Sequence, residues 1–237
     1  MLPGGYSSVM QARNRDEFRD EVIRFTQKLG FETVSAITVL DHGLGRSEFI
    51  AVDNTPQEFA EIYSDSSRGR KDPVLQHCKT NTVPIIWDKD TYVRTGMGER
   101  WEHQAAFGYV NGIAMALHLP EGRHFALGVD SPDPLPADPI ELQRLVADLQ
   151  LFAVHAQDAA LRILLPASKQ LERPALTPRE LEALRWTMEG KTAWEVGAVL
   201  GITERTAVLH VNNAMHKLGC VNKHQAVLKA LRLGLIH

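Results

Sequence analysis

The sequence has little of what marks several other classes of protein. It contains only two cysteines, Cys78 and Cys220, and neither has neighbouring ligands at metal-binding spacing. We therefore expect two reduced thiols rather than a disulfide or a metal site. No stretch approaches the roughly 18 apolar residues that a membrane span requires, and no basic segment followed by an apolar run marks a secretory signal. These absences predict a cytoplasmic protein without membrane contact.

Catalytic signatures are missing as well. The ten histidines include no His-x-x-x-His pair, and no Gly-x-Ser-x-Gly segment marks a nucleophilic serine. We therefore expect no enzyme, no catalytic residue, no metal site and no cofactor. A lactone-processing enzyme stays as an alternative, which recovery of unchanged ligand after long incubation would exclude.

Charge is distributed unevenly along the 237 residues. The whole chain has a formal net charge of −3, yet residues 174–237 hold 8 Lys or Arg against 5 Asp or Glu. The remaining residues hold 18 against 24. Such asymmetry is expected when only one end of a chain meets a polyanion such as DNA.

Helix start and stop signals are concentrated near the C-terminus. Capping residues precede four apolar helical patterns, at Thr177, Thr192, Thr203 and Asn222. Glycines stand at or near the ends of three of these helices, at Gly190, Gly201 and Gly234. A tight turn joins the short second helix to the third, which is the geometry of a helix-turn-helix that inserts its second helix into the major groove. Capping and spacing alone also fit a helical bundle that binds no DNA.

This C-terminal segment resembles the LuxR-type helix-turn-helix without a gap. The matching residues are Leu176-Thr177-Pro178-Arg179-Glu180-Leu181-Glu182, Trp186, Gly190-Lys191-Thr192, Ile202-Thr203-Glu204-Arg205-Thr206, His210-Val211-Asn212-Asn213, Lys217-Leu218, Asn222-Lys223, Gln225-Ala226 and Gly234-Leu235-Ile236. The resemblance implies that residues 204–218 form the recognition helix. The residues implied to face DNA are Arg205, Thr206, Val208, His210, Asn212, Asn213, His216 and Lys217.

Side-chain chemistry suggests roles for some of these positions, and a solvated helix face is the ordinary alternative for each. Arg205 and Lys217 can pair with phosphate, and Asn212 can donate and accept toward a base pair. Val208 departs from the family, whose relatives usually place Lys, Arg or Asn there. Valine offers at most contact with a thymine methyl, so we expect altered sequence preference or weaker binding.

The preceding residues mix helical and strand patterns. Helices are predicted at 16–29, 55–63, from 72, 99–107 and 139–164, and extended segments at 34–40, 49–52, 84–87, 113–119 and 124–129. This mixture predicts an α+β fold, an α/β/α sandwich around a mainly antiparallel sheet, followed by a four-helix helix-turn-helix domain. The expected boundaries are 1–164 for a ligand-binding domain, 165–175 for a linker and 176–237 for the DNA-binding domain. A two-component receiver is the alternative, but its regular alternation and acidic constellation are missing.

The N-terminal part resembles the autoinducer-binding domain of LuxR-type regulators, which bind N-acyl-homoserine lactones between sheet and helices. The resemblance rests on Tyr63, Asp72-Pro73-Val74, Trp87, Phe107-Gly108 and Gly112. It implies that Asp72 accepts a hydrogen bond from the ligand amide, that Tyr63 donates to the amide carbonyl and that Trp87 packs on the lactone ring. The ordinary alternatives are a helix cap at Asp72 and core packing by the two aromatic residues.

Three expected ligand contacts depart from the family. Phe59 stands where a tryptophan usually donates its indole N–H to the lactone carbonyl. Thr55 replaces an aromatic residue, and Gly128 falls near a position that often carries a hydroxyl. Such a pocket could hold a lactone more weakly, prefer another small amide or an aromatic-acyl ligand, or need no ligand.

Together the resemblances imply a ligand-responsive transcription regulator in quorum sensing. Its expected partners are an autoinducer, palindromic double-stranded promoter DNA, a second copy of the chain and RNA polymerase. The expected dimer surfaces are the helix at 139–164 and the last helix. An orphan modulator that forms heterodimers with another regulator and scarcely binds DNA is the alternative, motivated by Val208.

Overall fold

A computed structural model describes residues 6–43, 46–59, 71–165 and 174–237 of the chain. Apart from the short turn at 120–122, these residues fall into two compact units, one up to residue 165 and one from residue 174 onward. Within the described residues, no helix is both long enough and apolar enough to cross a membrane.

The N-terminal unit combines helices with one five-stranded sheet. Its strands are β1 (Thr33–Gly43), β2 (Arg46–Asp53), β3 (Ile85–Trp87), β4 (Asn111–Leu119) and β5 (Arg123–Ser131). Its helices are α1 (Ser7–Gln11), α2 (Arg15–Lys28), α3 (Pro73–Thr80), α4 (Lys89–Arg94), α5 (Gly98–Ala105) and α6 (Pro139–Leu164). The strands lie in the order β2-β1-β5-β4-β3, and each recorded pairing is antiparallel. The predicted α+β fold around an antiparallel sheet is confirmed.

Side chains alternate between the two faces of this sheet along each strand, and different helices pack on each face. On β5, Phe125, Leu127 and Val129 are buried in a large apolar core that also contains Phe18 of α2 and Phe152 of α6. The residues between them on β5 point to the opposite face, where α3, α4 and α5 contribute to a second apolar cluster. The predicted ligand-binding residues Phe59 and Trp87 belong to this second cluster, and Gly128 lies on the same second face of the sheet.

The C-terminal unit consists of four helices. They are α7 (Pro178–Met188), α8 (Ala193–Leu200), α9 (Glu204–Lys217) and α10 (Lys223–Arg232). Each begins at the capping residue that the sequence predicts, with the side chains of Thr177, Thr192, Thr203 and Asn222 accepting from backbone N–H groups. Gly201 ends α8 in the left-handed conformation (φ 67°), which a glycine adopts at little cost. The predicted four-helix helix-turn-helix architecture is confirmed.

Local sequence signals set most helix starts in the N-terminal unit too. Asp72 caps α3 in front of Pro73, and α6 runs over the predicted residues 139–164. Two short helices, α1 and α4, were not predicted, although Asp88 and Thr91 form a capping box at the start of α4. The helix predicted at 55–63 is described only at 57–59. Tyr63 and most of the predicted linker lie outside the described residues.

Candidate ligand site and DNA-recognition helix

Four residues form a row across the sheet on its second face. Thr33 pairs with Asp130, Asp130 pairs with Gly112, and Gly112 pairs with Trp87. Residues directly opposite each other on neighbouring strands present their side chains on the same face. The row therefore joins Trp87, which the sequence predicts as a ligand contact, to Asp130, which it does not.

Asp72 lies buried beside this row and is 4% exposed. Its Oδ1 accepts from the backbone N–H groups of Val74 and Leu75 at 3.0 and 3.1 Å, so it caps α3 as the ordinary interpretation of Asp-Pro expects. Its Oδ2 accepts from the Tyr92 hydroxyl at 3.2 Å and lies 3.0 Å from Nε of Arg100. One oxygen thus fixes the backbone while the other meets polar side chains from α4 and α5.

The negative charge of Asp72 raises the pKa values of neighbouring groups. Burial, and then the nearby Asp72 charge, raise the pKa of the Tyr92 hydroxyl, which therefore stays protonated as a donor. Burial followed by the same charge raises the pKa of the Cys78 thiol to about 11. Cys78 is therefore a neutral, buried thiol.

Trp87 is held in place by the absence of a side chain at Gly112. Trp87 is 3% exposed and meets Tyr92 edge to face at 5.7 Å between ring centroids. A Cβ atom on Gly112 would lie 2.8 Å from the Trp87 indole nitrogen and 2.3 Å from the Val129 carbonyl oxygen. Gly112 is thus required sterically, and the glycine that carries part of the family resemblance positions the indole.

Phe59 lies in an aromatic stack rather than alone. Its ring is 4.0 Å from that of Tyr109, with an angle of 14° between the planes, and it meets Phe107 at 5.7 Å. Thr55 is half-buried, and its hydroxyl helps to lower the pKa of Tyr109 against the larger effect of burial, which raises it. Phe59 and Thr55 therefore share one neighbour, Tyr109, that the sequence does not predict.

Gly128 and Asp130 lie on the second face of β5. A Cβ atom on Gly128 would meet nothing within 4 Å, so space remains where relatives often carry a hydroxyl. Burial and the charge of Asp72 raise the pKa of Asp130 to about 7, and a hydrogen bond from Thr33 opposes this rise. This end of the face therefore combines open space with a carboxyl group that protonates near neutral pH.

The polar residues that sequence reasoning missed are Tyr92, Arg100, Tyr109 and Asp130. Each comes from a different part of the chain, and none stands in a motif, so only the pairing of strands and the packing of α4 and α5 bring them together. An open cleft of about 420 Å³ exists elsewhere in this unit, but none of the predicted ligand residues lines it. No cluster of three or more His, Cys, Asp or Glu side chains that could hold a metal occurs in the described part of the chain.

The predicted recognition helix, α9, presents a polar face with an apolar centre. Arg205, Asn212, Asn213 and His216 are exposed, whereas Thr206 and His210 are partly buried. The hydroxyl of Thr206 lies 2.8 Å from that of Thr203 at the helix start. The opposite face, with Ala207 and Ala214 fully buried, packs within the unit.

Two apolar side chains occupy the middle of the exposed face of α9. Val208 is 41% exposed and the adjacent Leu209 is 55% exposed. Neither side chain has a hydrogen-bonding group, so only the flanking residues of this face can form hydrogen bonds. The apolar surface at Val208 therefore extends to its neighbour.

Lys217 lies in surroundings that differ from the phosphate contact proposed for it. Its Nζ donates to Oε2 of the buried Glu180 at 2.8 Å and to the Ala175 carbonyl oxygen at 3.2 Å. Burial alone would raise the pKa of Glu180, but the bonds from Lys217 and Thr177 hold it below its ordinary value. Lys217 thus ties α9 to the start of α7.

Family comparisons match both units. Residues 14–160 match the autoinducer binding domain, and residues 174–230 match the family described as bacterial regulatory proteins, luxR family. The fold and these two domains define a transcription regulator of the autoinducer-binding class. The chain belongs to the LuxR family.

Curated relatives extend over nearly the whole chain. The quorum sensing-dependent transcriptional regulator RpaR of Rhodopseudomonas palustris is 32% identical, covering 87% of this chain and 83% of the relative. The transcriptional activator SolR of Ralstonia nicotianae is 31% identical over all of both chains. A structure of SdiA in complex with octanoyl-rac-glycerol has a TM-score of 0.72 at 26% identity, covering 96% of this chain and 92% of that one. The relatives are regulators, in agreement with the prediction that this chain is not an enzyme.

Proposed function

We propose that this chain is a transcription regulator that responds to an N-acyl-homoserine lactone or a related small amide. The observation that carries this proposal is the placement of Asp72, whose Oδ2 faces donors from α4 and α5 beside the indole of Trp87. A carboxylate oxygen can accept from more than one donor, so a ligand amide N–H joins Tyr92 and Arg100 at this oxygen. The lactone ring then packs on Trp87, and the acyl chain follows the small residues of the second sheet face.

The presence or absence of hydrogen-bond donors around the rest of the proposed site defines which ligands fit. Phe59 offers shape without a donor, and Gly128 offers space without a hydroxyl, so the proposed site has fewer hydrogen-bonding groups than the family resemblance implies. Under the proposal, Tyr63 supplies a further donor to the amide carbonyl. The solved complex of SdiA holds an acylglycerol, which supports acyl compounds with other uncharged head groups as further candidates for this chain.

DNA binding is proposed for the exposed face of α9. Arg205 pairs with phosphate, while Asn212, Asn213, His210 and His216 reach toward the major groove, and Thr206 lies at the helix start. We assign Lys217 a supporting role because its ammonium group already bonds within the unit. Because the proposed target is promoter DNA, we propose that the regulator acts in the cytoplasm with RNA polymerase as a further partner.

A homodimer is proposed because two-fold proteins match palindromic sites. On α6, Ile140, Leu151 and Val154 are exposed and share one face of the helix at its 3.6-residue period. On α10, Leu228 and Leu231 are exposed three residues apart. These two apolar faces are the proposed contacts between copies, and ligand binding shifts the population of dimers that bind DNA.

Two experiments test the proposal. Mass spectrometry of small molecules that co-purify with the full chain from a bacterium producing acyl-homoserine lactones should detect an intact acyl lactone or amide. Selection from a random pool of double-stranded DNA should return a palindrome. Recovery of neither a bound amide nor an enriched palindrome would contradict the proposal.

A second function is favoured by Val208 and Leu209, which place apolar surface at the centre of the reading face. In this alternative the chain acts through heterodimers and scarcely binds DNA. A mobility-shift series decides between the two, using the chain with Val208→Lys and the control Val208→Ala. A DNA-binding regulator should gain affinity with Val208→Lys, with a salt slope steeper by about 1, and keep its slope with Val208→Ala. No specific shift for any of the three proteins would favour the modulator.

A further inference from the structure

Tyr109 carries a buried hydroxyl whose hydrogen bonding is unfulfilled. The residue lies between α5 and β4 and is 8% exposed, and its hydroxyl oxygen has no hydrogen-bond partner in the part of the chain that the structure describes. The hydroxyls of Thr55 and Thr33 are near enough to lower its pKa, but neither completes a hydrogen bond with it. Native proteins pair nearly all buried polar groups, so a group of this kind calls for a specific partner.

Tyr109 lies beside the proposed ligand site. The Tyr109 ring stacks on Phe59 at 4.0 Å, and both belong to the apolar cluster that contains Trp87. Phe59 itself has no donor. Tyr109 therefore provides a hydrogen-bond donor on this side of the aromatic cluster, near the Thr33 end of the row that crosses the sheet.

Neighbouring charges define the acceptor that would suit this donor. The charges of Asp130 and Asp53 both raise the pKa of the Tyr109 hydroxyl. The charge of Asp72 in turn raises the pKa of Asp130. An anionic oxygen placed here would be repelled by these acids when they are ionised. An uncharged carbonyl oxygen accepts a hydrogen bond without that repulsion.

We propose that Tyr109 donates its hydroxyl hydrogen to a carbonyl oxygen of the ligand's head group, at a place where the neighbouring acids favour an uncharged head group over a carboxylate. This inference rests on the proposed function for the class of ligand, and it identifies a specificity-determining residue within that site. An intact lactone presents such a carbonyl, whereas its ring-opened acid presents a carboxylate. Tyr109 together with these acids thus distinguishes an intact lactone from its hydrolysis product.

The test combines Tyr109→Phe with a matched control, Tyr92→Phe, in the full chain. Without ligand, Tyr109→Phe should raise the thermal midpoint by about 2–4 °C because it removes an unpaired buried hydroxyl. Tyr92→Phe should lower that midpoint because its hydroxyl already donates to Asp72. Both changes remove one oxygen atom from a buried tyrosine, so the opposite signs separate an unpaired hydroxyl from a paired one.

Ligand affinity provides the second measurement, with N-octanoyl-L-homoserine lactone, its ring-opened acid and N-(tetrahydrofuran-3-yl)octanamide as probes. Tyr109→Phe should weaken binding of the lactone about 3- to 10-fold. It should leave binding of the tetrahydrofuran amide, which has no ring carbonyl, unchanged. The wild-type chain should bind the ring-opened acid more weakly than the lactone.

Three results separate the inference from the function on which it rests. A lower unliganded midpoint for Tyr109→Phe would show that the hydroxyl is already paired and would overturn the inference. Unchanged lactone affinity in this variant would overturn it as well. A raised midpoint together with no binding of lactone or amide by the wild-type chain would support the unpaired donor and refute the proposed ligand class.

Discussion

Lys217 of α9 donates a hydrogen bond to the buried carboxylate of Glu180 in α7, with 2.8 Å between Nζ and Oε2. Glu180 also accepts from the backbone N–H of Thr177 at 2.7 Å and so completes the capping box of its own helix. One carboxylate therefore fixes the start of α7 and connects it to the end of the proposed recognition helix. The position of the proposed recognition helix within its unit therefore depends on this contact.

This contact predicts that Lys217→Met destabilises the C-terminal unit. The change leaves Glu180 buried without its cation, and since the lysine is partly exposed we expect a loss of about 1–3 kcal/mol. Hydrogen exchange of amides in α7 and α9, followed by mass spectrometry, should report this loss as faster exchange. His216→Ala, which changes the exposed neighbouring residue, should leave exchange within about 0.5 kcal/mol of wild type.

The Lys217–Glu180 pair also predicts how the stability of the C-terminal unit changes with pH. The pKa of Glu180 is lowered in the folded chain, so its stabilising effect is present above the unfolded pKa and is lost as pH falls through the folded pKa. The difference between wild type and Lys217→Met should therefore shrink on acidification. A difference that stayed constant would contradict the ion pair.

Gly112 and Gly128 provide a matched pair of substitutions on neighbouring strands. Gly112→Ala places a Cβ atom 2.3 Å from the Val129 carbonyl oxygen, and the backbone cannot yield without breaking the β4–β5 ladder. We expect a loss of about 1–3 kcal/mol or more in the free energy of unfolding. Gly128→Ala meets open space and should change stability by less than about 1 kcal/mol. Urea unfolding of both variants measures this contrast, and equal losses would refute the steric role of Gly112.

Asp130 should make the N-terminal unit less stable as pH rises. Its folded pKa is about 7, above the ordinary 3.8, so the folded state holds a proton that the unfolded state has already released. Stability is therefore lost between about pH 4 and pH 7. Asp130→Asn cannot ionise, and its stability relative to wild type should rise by about 1–3 kcal/mol across this window.

The measurement for Asp130 is urea unfolding of wild type and Asp130→Asn at about pH 5 and about pH 8. The groups facing Asp130 are Asp72, Thr33 and Tyr109, and all remain in the variant. A pH dependence identical in the two proteins would show that Asp130 ionises in the folded chain as freely as in the unfolded one.

Local sequence signals were enough to predict much of the fold. Capping residues such as Thr177, Thr192 and Asn222 act within one helical turn, so their role is readable without tertiary structure. The strands around residue 121 were predictable from alternation and an intervening turn. The short helices α1 and α4 were missed because their few residues give too little periodicity, even though Asp88 caps the second of them.

The candidate site was only partly predictable because its polar residues are brought together by pairing and packing. Asp72 and Trp87 were found through family resemblance. Tyr92 and Arg100 meet Asp72 only because α4 and α5 pack beside α3, and Asp130 joins them through strand register. Lys217 was proposed to pair with phosphate from its place on α9, because its partner Glu180 lies 37 residues away in sequence.

Asp72 is proposed to accept a hydrogen bond from the amide N–H of the ligand. The most direct test of this proposal is the thermal stabilisation of wild type and Asp72→Asn by N-octanoyl-L-homoserine lactone, since asparagine keeps the Oδ1 acceptor that caps α3 but removes the charge. At about 100 times the dissociation constant, the ligand should stabilise the wild-type chain by about 2.7 kcal/mol. We expect Asp72→Asn, folded and with its own unliganded midpoint as reference, to lose most of this shift. An equal shift in both proteins would contradict the proposal.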